Sequence, residues 1–321
     1  MTFLLTWLYN IVWWIVSSYI TFRFVRSTHV LLRSIWAHFF STPLDLKPYQ
    51  DSWTVVTGCT DGIGRAYIEE LAKARGIRKF YLIGRNAEKL NKINNELTSR
   101  YNCEIKTAIF DFEKDDLDRI IDLPGFRDLE VGILINCVGI APEKVGNLVE
   151  LPAGIGSKIV KVNLLSCIKM LELILPGMAK RDKGIIVNIA SFTGWRPLPY
   201  MSTYPATKAA IAFYTDTLVD EFKHSNLKIQ CLIPALVATK IASYDSKDAD
   251  GIAVVEPTTF ARQAVRLIGN YPLSTGCFAH DFQAALGNLV SFWLFKQFFV
   301  PLVILGVHKQ RVDEYQSRKE Q

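Results

Sequence analysis

Three side chains late in the sequence have the types and the spacing for proton chemistry on an oxygen-bearing carbon. Tyr204 and Lys208 stand four residues apart, which on a helix puts phenol and ammonium on one face, a turn from each other. An ammonium near a phenol favours the phenolate and is expected to lower the tyrosine pKa. A phenol so tuned could give a proton to a carbonyl oxygen, or take one from an alcohol, near neutral pH. Ser191 closes an apolar run upstream and could hydrogen-bond the same oxygen. Y-x-x-x-K alone is a frequent accident of solvated helices. Its place after a nucleotide-type loop and a strand-end serine makes it specific. Pro205 is tolerated because it falls in the first turn of the helix, where its missing N–H costs nothing.

The loop in question is Thr57-Gly58-Cys59-Thr60-Asp61-Gly62-Ile63-Gly64, which follows a β-branched run and precedes a helical pattern. Glycines there let the backbone turn sharply and approach a pyrophosphate held by the amides of the helix N-terminus. Gly58, Thr60, Asp61, Gly62, Ile63 and Gly64 are the expected cofactor contacts. The second apolar run ends in Ile83-Gly84-Arg85, with no Asp or Glu between Phe80 and Ala87 to accept from a ribose 2′-hydroxyl. Gly84 leaves room and Arg85 offers a planar fork for a 2′-phosphate, which points to NADP(H). Asp111 could hydrogen-bond the adenine, or simply form a turn. Asn136-Cys137-Val138-Gly139 closes the fourth run, at the strand ends where such sheets bind ligands, and Asn136 and Gly139 join the cofactor set.

These groups need a scaffold that brings strand ends together. Short β-branched runs (Trp53–Thr57, Phe80–Ile83, Ile105–Phe110, Val131–Asn136, Gly184–Ala190, Lys228–Ile233) alternate with helical stretches near 63–75, 87–100, 157–181 and 205–225. That alternation predicts an α/β fold: a doubly wound parallel sheet of Rossmann type, as one domain over 49–280. Internal repeats and low-complexity segments are not evident.

Both ends differ from this middle. Phe3 to Phe22 carry no charged side chain, enough to cross a bilayer as a helix, and Trp7, Tyr9, Trp13, Trp14 and Tyr19 suit a lipid environment. A cleaved signal peptide would want a basic start, a shorter apolar run and a small-residue cleavage site. Arg23, Arg26 and Arg33 follow the run, so positive charge places the bulk of the chain on the cytosolic side. No Asn begins a glycosylation sequon. Thr28–Phe40 reads as an interfacial helix, broken by Pro43 and Pro48, so residues 1–48 form the anchor. Ala284–Val307 is apolar but contains Lys296, Gln297 and Pro301, which favours an interfacial or re-entrant helix over a second span, with a packed core helix as the rival. Residues 281–321 are thus a membrane-associated segment ending in a polar, solvated tail from His308.

Composition agrees. In 321 residues, 50% are hydrophobic and 21% charged, which excludes a disordered chain. Lys and Arg number 37 against 31 Asp and Glu, a net +6. That excess suits phosphate-bearing ligands or anionic membrane lipid, and is too diffuse for nucleic acid. Six scattered cysteines without C-x-x-C spacing argue against a disulfide scaffold or a metal site.

Taken in order, these motifs resemble the short-chain dehydrogenase/reductase family over roughly residues 50–280. Thr57–Gly64 is similar to its TGxxxGIG loop and Asn136–Gly139 to its NNAG segment, with Cys137 and Val138 substituted. Ser191, Tyr204 and Lys208 align with its catalytic positions. The resemblance adds Asn163 as the active-site asparagine, supporting a water that links Lys208 to solvent. It also adds Pro234, Val237 and Thr239, in a PGxVxT-like stretch with Ala235 for glycine, beside the nicotinamide. Tyr204 and Lys208 would then touch the cofactor as well, Lys208 holding the nicotinamide ribose. Thr60-Asp61, Arg85 and the apolar N-terminus resemble a narrower branch, the very-long-chain 3-oxoacyl-CoA reductases and the 17β-hydroxysteroid dehydrogenases of types 3 and 12. That branch implies an endoplasmic reticulum membrane enzyme facing the cytosol, using NADPH on a lipophilic substrate, steroid or acyl-CoA. Residues 240–256 would be the substrate loop, and family members commonly form homodimers. The rival reading is a non-catalytic, membrane-tethered binding protein of the same fold, which would have no physical need for Asn163, Ser191, Tyr204 and Lys208 together.

Overall fold

The computed structural model describes residues Thr2–Glu320. The β-branched runs become strands β1 (Trp53–Thr57), β2 (Lys79–Gly84), β3 (Glu104–Ile109), β4 (Val131–Asn136), β5 (Ile185–Ile189) and β6 (Lys228–Leu232). All pair in parallel in the order β3-β2-β1-β4-β5-β6-β7, where β7 is the two-residue edge Leu273–Ser274, absent from the sequence expectation. Every residue of β1, β4 and β5 is buried, as a sheet covered on both faces requires. At the β3 edge, exposed and less exposed positions alternate instead.

Helices α2 (Gly62–Arg75) and α3 (Ala87–Tyr101) start on Asp61 and Asn86, whose side chains accept from the amides of Gly62 and Lys89. One core layer joins Val56, Tyr67, Leu71, Leu82 and Phe260 on one face of the sheet. The other joins Val55, Tyr81, Leu134, Met170 and Ile186 on the opposite face. Chain order reverses between β1 and β4, so a crevice opens at their carboxyl ends. The remaining helices are α4 (Ile155–Ile159), α5 (Ser166–Lys180), α6 (Tyr204–Glu221), α7 (Pro257–Arg266) and α8 (Phe278–Leu289).

The two ends depart from expectation. Helix α1 runs unbroken from Thr2 to Ile35 and continues through a wide turn to Phe40, rather than as a span followed by a separate interfacial helix. No Gly or Pro interrupts it before Pro43, and its second half docks on α8. Ser27 donates to the Ala285 carbonyl (2.8 Å), and both Ser34 (2.6 Å) and His38 (3.1 Å) meet the Asp281 carboxylate. At the other end α9 (Phe292–Leu294), a π-helix (Phe295–His308) and α10 (Lys309–Glu320) form one rod. Its polar tail is largely exposed, as expected, but it is tied to the body of the protein. Val312 is buried and Arg311 pairs with Asp248. Phe3–Phe40 and Phe292–Lys319 are the two helices among the described residues long and apolar enough to cross a membrane.

Candidate active site

The glycine loop is shaped for close approach. Gly58 (φ +66°) and Gly62 (φ +52°) adopt left-handed conformations, and a Cβ on Gly58 would lie 2.7 Å from the backbone of Cys137 and Val138. A Cβ on Gly64 would lie 2.3 Å from the Gly58 carbonyl oxygen. Thr57 ties the loop to the end of β4, its hydroxyl accepting from the amides of Cys137 (3.2 Å) and Val138 (3.3 Å). Thr239 sits across the crevice against Gly62, so the Pro234–Thr239 stretch overlies the loop. This cradle, at the N-terminus of α2, fits a dinucleotide.

Other cofactor candidates are distributed unevenly. Thr60 packs beside Gly84. Ile63 packs on the core. Arg85 is largely exposed and only 3.8 Å from Glu113, leaving its guanidinium available at the end of β2. Asp111 accepts from the Glu113 amide (3.0 Å), the turn alternative. Asn136 is buried and donates to Asn188 (2.9 Å), so its amide braces β4 against β5. Asp61 is bridged by Lys240 (2.7 Å) and Lys89 (3.3 Å). Burial pushes that carboxyl up, but the two ammoniums outweigh it and hold it below the usual range. Val237 is buried and pairs with Val255.

The catalytic candidates converge. Ser191 follows β5, and its oxygen accepts from the Thr193 amide (3.3 Å) and hydroxyl (3.0 Å). Tyr204 opens α6, with Pro205 in the first turn as expected. Tyr200 (φ 69°) and Ser202 (φ 54°), in the loop delivering Tyr204, both take the left-handed conformation that non-glycine residues avoid. Asn163 lies on a π-helical turn, Val160–Leu165, between α4 and α5, the kind of irregularity common at functional sites. Its carbonyl accepts from the Ile140 amide (2.8 Å), and its amide donates to the Ile140 carbonyl (3.0 Å) and the Thr207 hydroxyl (3.3 Å). Buried Lys208 donates to the Ile189 carbonyl (2.8 Å). A Cβ on Gly139 would stand 3.5 Å from the Asn163 oxygen and 3.6 Å from the Lys208 nitrogen.

One electrostatic expectation is corrected. Burial pushes the Tyr204 phenol up, and the opposing pull comes from its hydrogen bond with Ser191 rather than from Lys208. The reason is placement. The ammonium is 5.8 Å from the tyrosine ring centre, directed to the end of β5, and burial depresses its own pKa. Cys137 beside it is a neutral thiol, pushed up to about 11 by burial.

Several positioning residues escaped sequence reading. Gly194 packs on α6 so tightly that a Cβ would lie 2.5 Å from the Ala209 nitrogen, which holds the Ser191 turn against the Tyr204 helix. Thr207 donates to the Tyr204 carbonyl (2.8 Å) and receives Asn163. His280 is fully buried and bridges the Ala235 amide (3.3 Å) and Leu236 carbonyl (3.1 Å), fixing the stretch over the crevice. Only the T in TGxxxGIG gave Thr57 any signal. The others depend on contacts between distant segments. All six cysteines are free, and no cluster of three or more metal-ligating side chains occurs among the described residues.

A parallel sheet that reverses order above a glycine cradle, with serine, tyrosine and lysine beside it, defines an oxidoreductase working with a nicotinamide dinucleotide. Comparison with known proteins agrees. Residues 52–250 match the short chain dehydrogenase family. The chain is 34% identical over 310 residues to the very-long-chain 3-oxoacyl-CoA reductase of Mus musculus, covering 96% of each. It is 52% identical over 181 residues to the uncharacterized oxidoreductase dhs-27 of Caenorhabditis elegans, covering 56% of this chain but only 22% of that relative. Among solved structures, a short-chain dehydrogenase from Sphingobium yanoikuyae in complex with NADPH superposes with a TM-score of 0.61 at 26% identity, over 70% of this chain and 87% of that one. The chain belongs to the short chain dehydrogenase family.

Proposed function

We propose that the protein is a membrane-attached reductase that uses NADPH to convert the ketone of a long-chain 3-oxoacyl-CoA to an alcohol. The observation that carries this reading is the meeting of Ser191, Tyr204, Lys208 and Asn163 at one crevice, with an apolar cluster from the C-terminal rod packed against Tyr204. The similarity to very-long-chain 3-oxoacyl-CoA reductases over nearly the whole chain supports the substrate class.

Bound NADPH supplies the hydride. The chain does the rest. Ser191 steadies the ketone oxygen, and Tyr204 donates the proton that the forming alkoxide needs. Lys208, beside Gly139, holds the ribose hydroxyls. Asn163, fixed by Ile140 on both amide atoms, anchors a water that returns protons towards the tyrosine. Helix α1 and the apolar face of the C-terminal rod hold the enzyme at an endoplasmic reticulum membrane with its catalytic domain in the cytosol. The exposed Leu165 and Phe213, before and on the helices flanking the site, offer a face for a homodimer.

NADPH oxidation by detergent-purified protein, offered 3-oxostearoyl-CoA and estrone in parallel, tests the substrate class. Turnover of the acyl-CoA is expected. Turnover of estrone alone would transfer the assignment to ketosteroids, and NADPH binding without turnover of either would overturn it in favour of a binding protein. Arg85→Ala is expected to raise the KM for NADPH about tenfold or more, because a charge-assisted contact to phosphate is lost, while the KM for NADH stays within about twofold. Equal changes for both cofactors would place the 2′-phosphate elsewhere.

A further inference from the structure

The C-terminal rod lies beyond residues 52–250, the part that matches the family, yet it reaches the catalytic tyrosine. Ile304 and Val312 form a buried cluster with Val145 and Met201, against which Tyr204 and Phe299 pack. The opposite side of the rod is uncovered, with Trp293 and Leu302 about two-thirds exposed (67% and 66%). The rod is therefore one helix thick between the reacting tyrosine and its surroundings.

Polar contacts fix where that helix sits, and they converge on the loop after Thr239. The Arg311 guanidinium pairs with Asp248, donates to the Ser243 carbonyl (3.1 Å) and stacks over Tyr244 (4.9 Å). Asp248 in turn accepts from the Asp245 amide (2.8 Å), which makes the 245–248 turn rigid. A planar, always-charged guanidinium with three directional partners in a half-buried site is a positional lock, whereas an exposed lysine contact would not be. Near the end of the rod, Arg318 meets Asp245 at 3.7 Å.

We infer that Phe299 and Ile304 form the substrate-side wall above Tyr204, and that Arg311 latches this wall to the 240–250 loop, so that the C-terminal helix selects ketones by the size of their apolar chain. This rests on the reductase reading above. A wall of two apolar side chains discriminates by the methylenes it admits or rejects, and a misfit in such a pocket is worth roughly 10- to 200-fold in kcat/KM. The π-helix that carries Phe299 and Ile304 runs without a break into α10, so the position of the latch is passed directly to the wall.

The test compares kcat/KM for 3-oxostearoyl-CoA with that for acetoacetyl-CoA in full-length Ile304→Trp, Ile304→Ala and Arg311→Ala proteins. NADPH fluorescence titration verifies that each variant is folded. Tryptophan is expected to lower the long-to-short ratio about tenfold or more by filling the wall, and alanine to raise it. Arg311→Ala is expected to compress the ratio towards unity by freeing the wall. A merely structural role would scale both substrates alike. Parallel losses, or an unmoved ratio in an active wild-type enzyme, would overturn the wall and leave the reductase assignment standing. A wild-type protein that binds NADPH but reduces neither thioester would overturn both.

Discussion

Replacing Tyr204 by phenylalanine lowers the rate of ketone reduction by about 10²–10⁴-fold, the usual contribution of a positioned general acid. The ring that packs against the C-terminal cluster stays in place, so the dissociation constant for NADPH is expected to change far less than the rate. Single-turnover NADPH oxidation and fluorescence titration separate the two. A variant that keeps near-full activity would remove Tyr204 from the reaction. The pH dependence follows from the direction of the phenol shift. Burial raises the tyrosine pKa, so the proton-donating form persists through neutral pH and reduction is level there, falling only as pH climbs through the raised value. Alcohol oxidation needs the phenolate and therefore rises with pH over the same range. Since the Ser191 hydrogen bond is what pulls this pKa down, Ser191→Ala should move the alkaline inflection higher, besides slowing the reaction.

The second large effect is expected at Gly58. Alanine there meets the backbone of Cys137 and Val138 at 2.7 Å, and φ is +66°. Neither neighbour is a flexible side-chain tip, so the glycine loop and the end of β4 must separate. That movement strains the two bonds that Thr57 accepts from the same segment. Left-handed strain and overpacking together cost about 2–4 kcal/mol of stability, and NADPH affinity should fall more than tenfold because the cradle widens. Gly125 is a built-in control. It has the same φ of +66°, but a Cβ would meet nothing within 4 Å. Gly125→Ala should cost only the conformational part, about 1–2 kcal/mol, with NADPH binding intact. Urea unfolding and cofactor titration of the two variants read both quantities. Equal losses of cofactor affinity would show that the contact with β4 does not matter.

The outcome at each residue reflects how far its determinants lie along the chain. Strands β1 to β6, the glycine loop, the strand-end Ser191 and the Tyr204–Lys208 pair were all legible, because periodicity, turn chemistry and helical spacing are local and repeat within a few residues. Asn163, Pro234, Val237 and Thr239 were reached only through family resemblance, since one asparagine or threonine carries no local signal of what lies across a crevice. The phenol's pKa is beyond local spacing for a related reason. Spacing shows that Tyr204 and Lys208 share a helix face, but desolvation and the direction of the ammonium depend on what is packed around them.

The ends of the chain depended most on long-range packing. Apolar composition marks α1 and the C-terminal rod as membrane-compatible, and that property is local. Composition does not say that Ser34 and His38 will dock on Asp281, or that a polar tail will fold back so that Arg311 grips Asp248. Those contacts join residues tens to hundreds of positions apart, and their energy depends on complementary groups meeting in space. The sequence pattern therefore settles which chemistry this chain can carry, whereas packing of its distant C-terminus sets the surroundings of Tyr204.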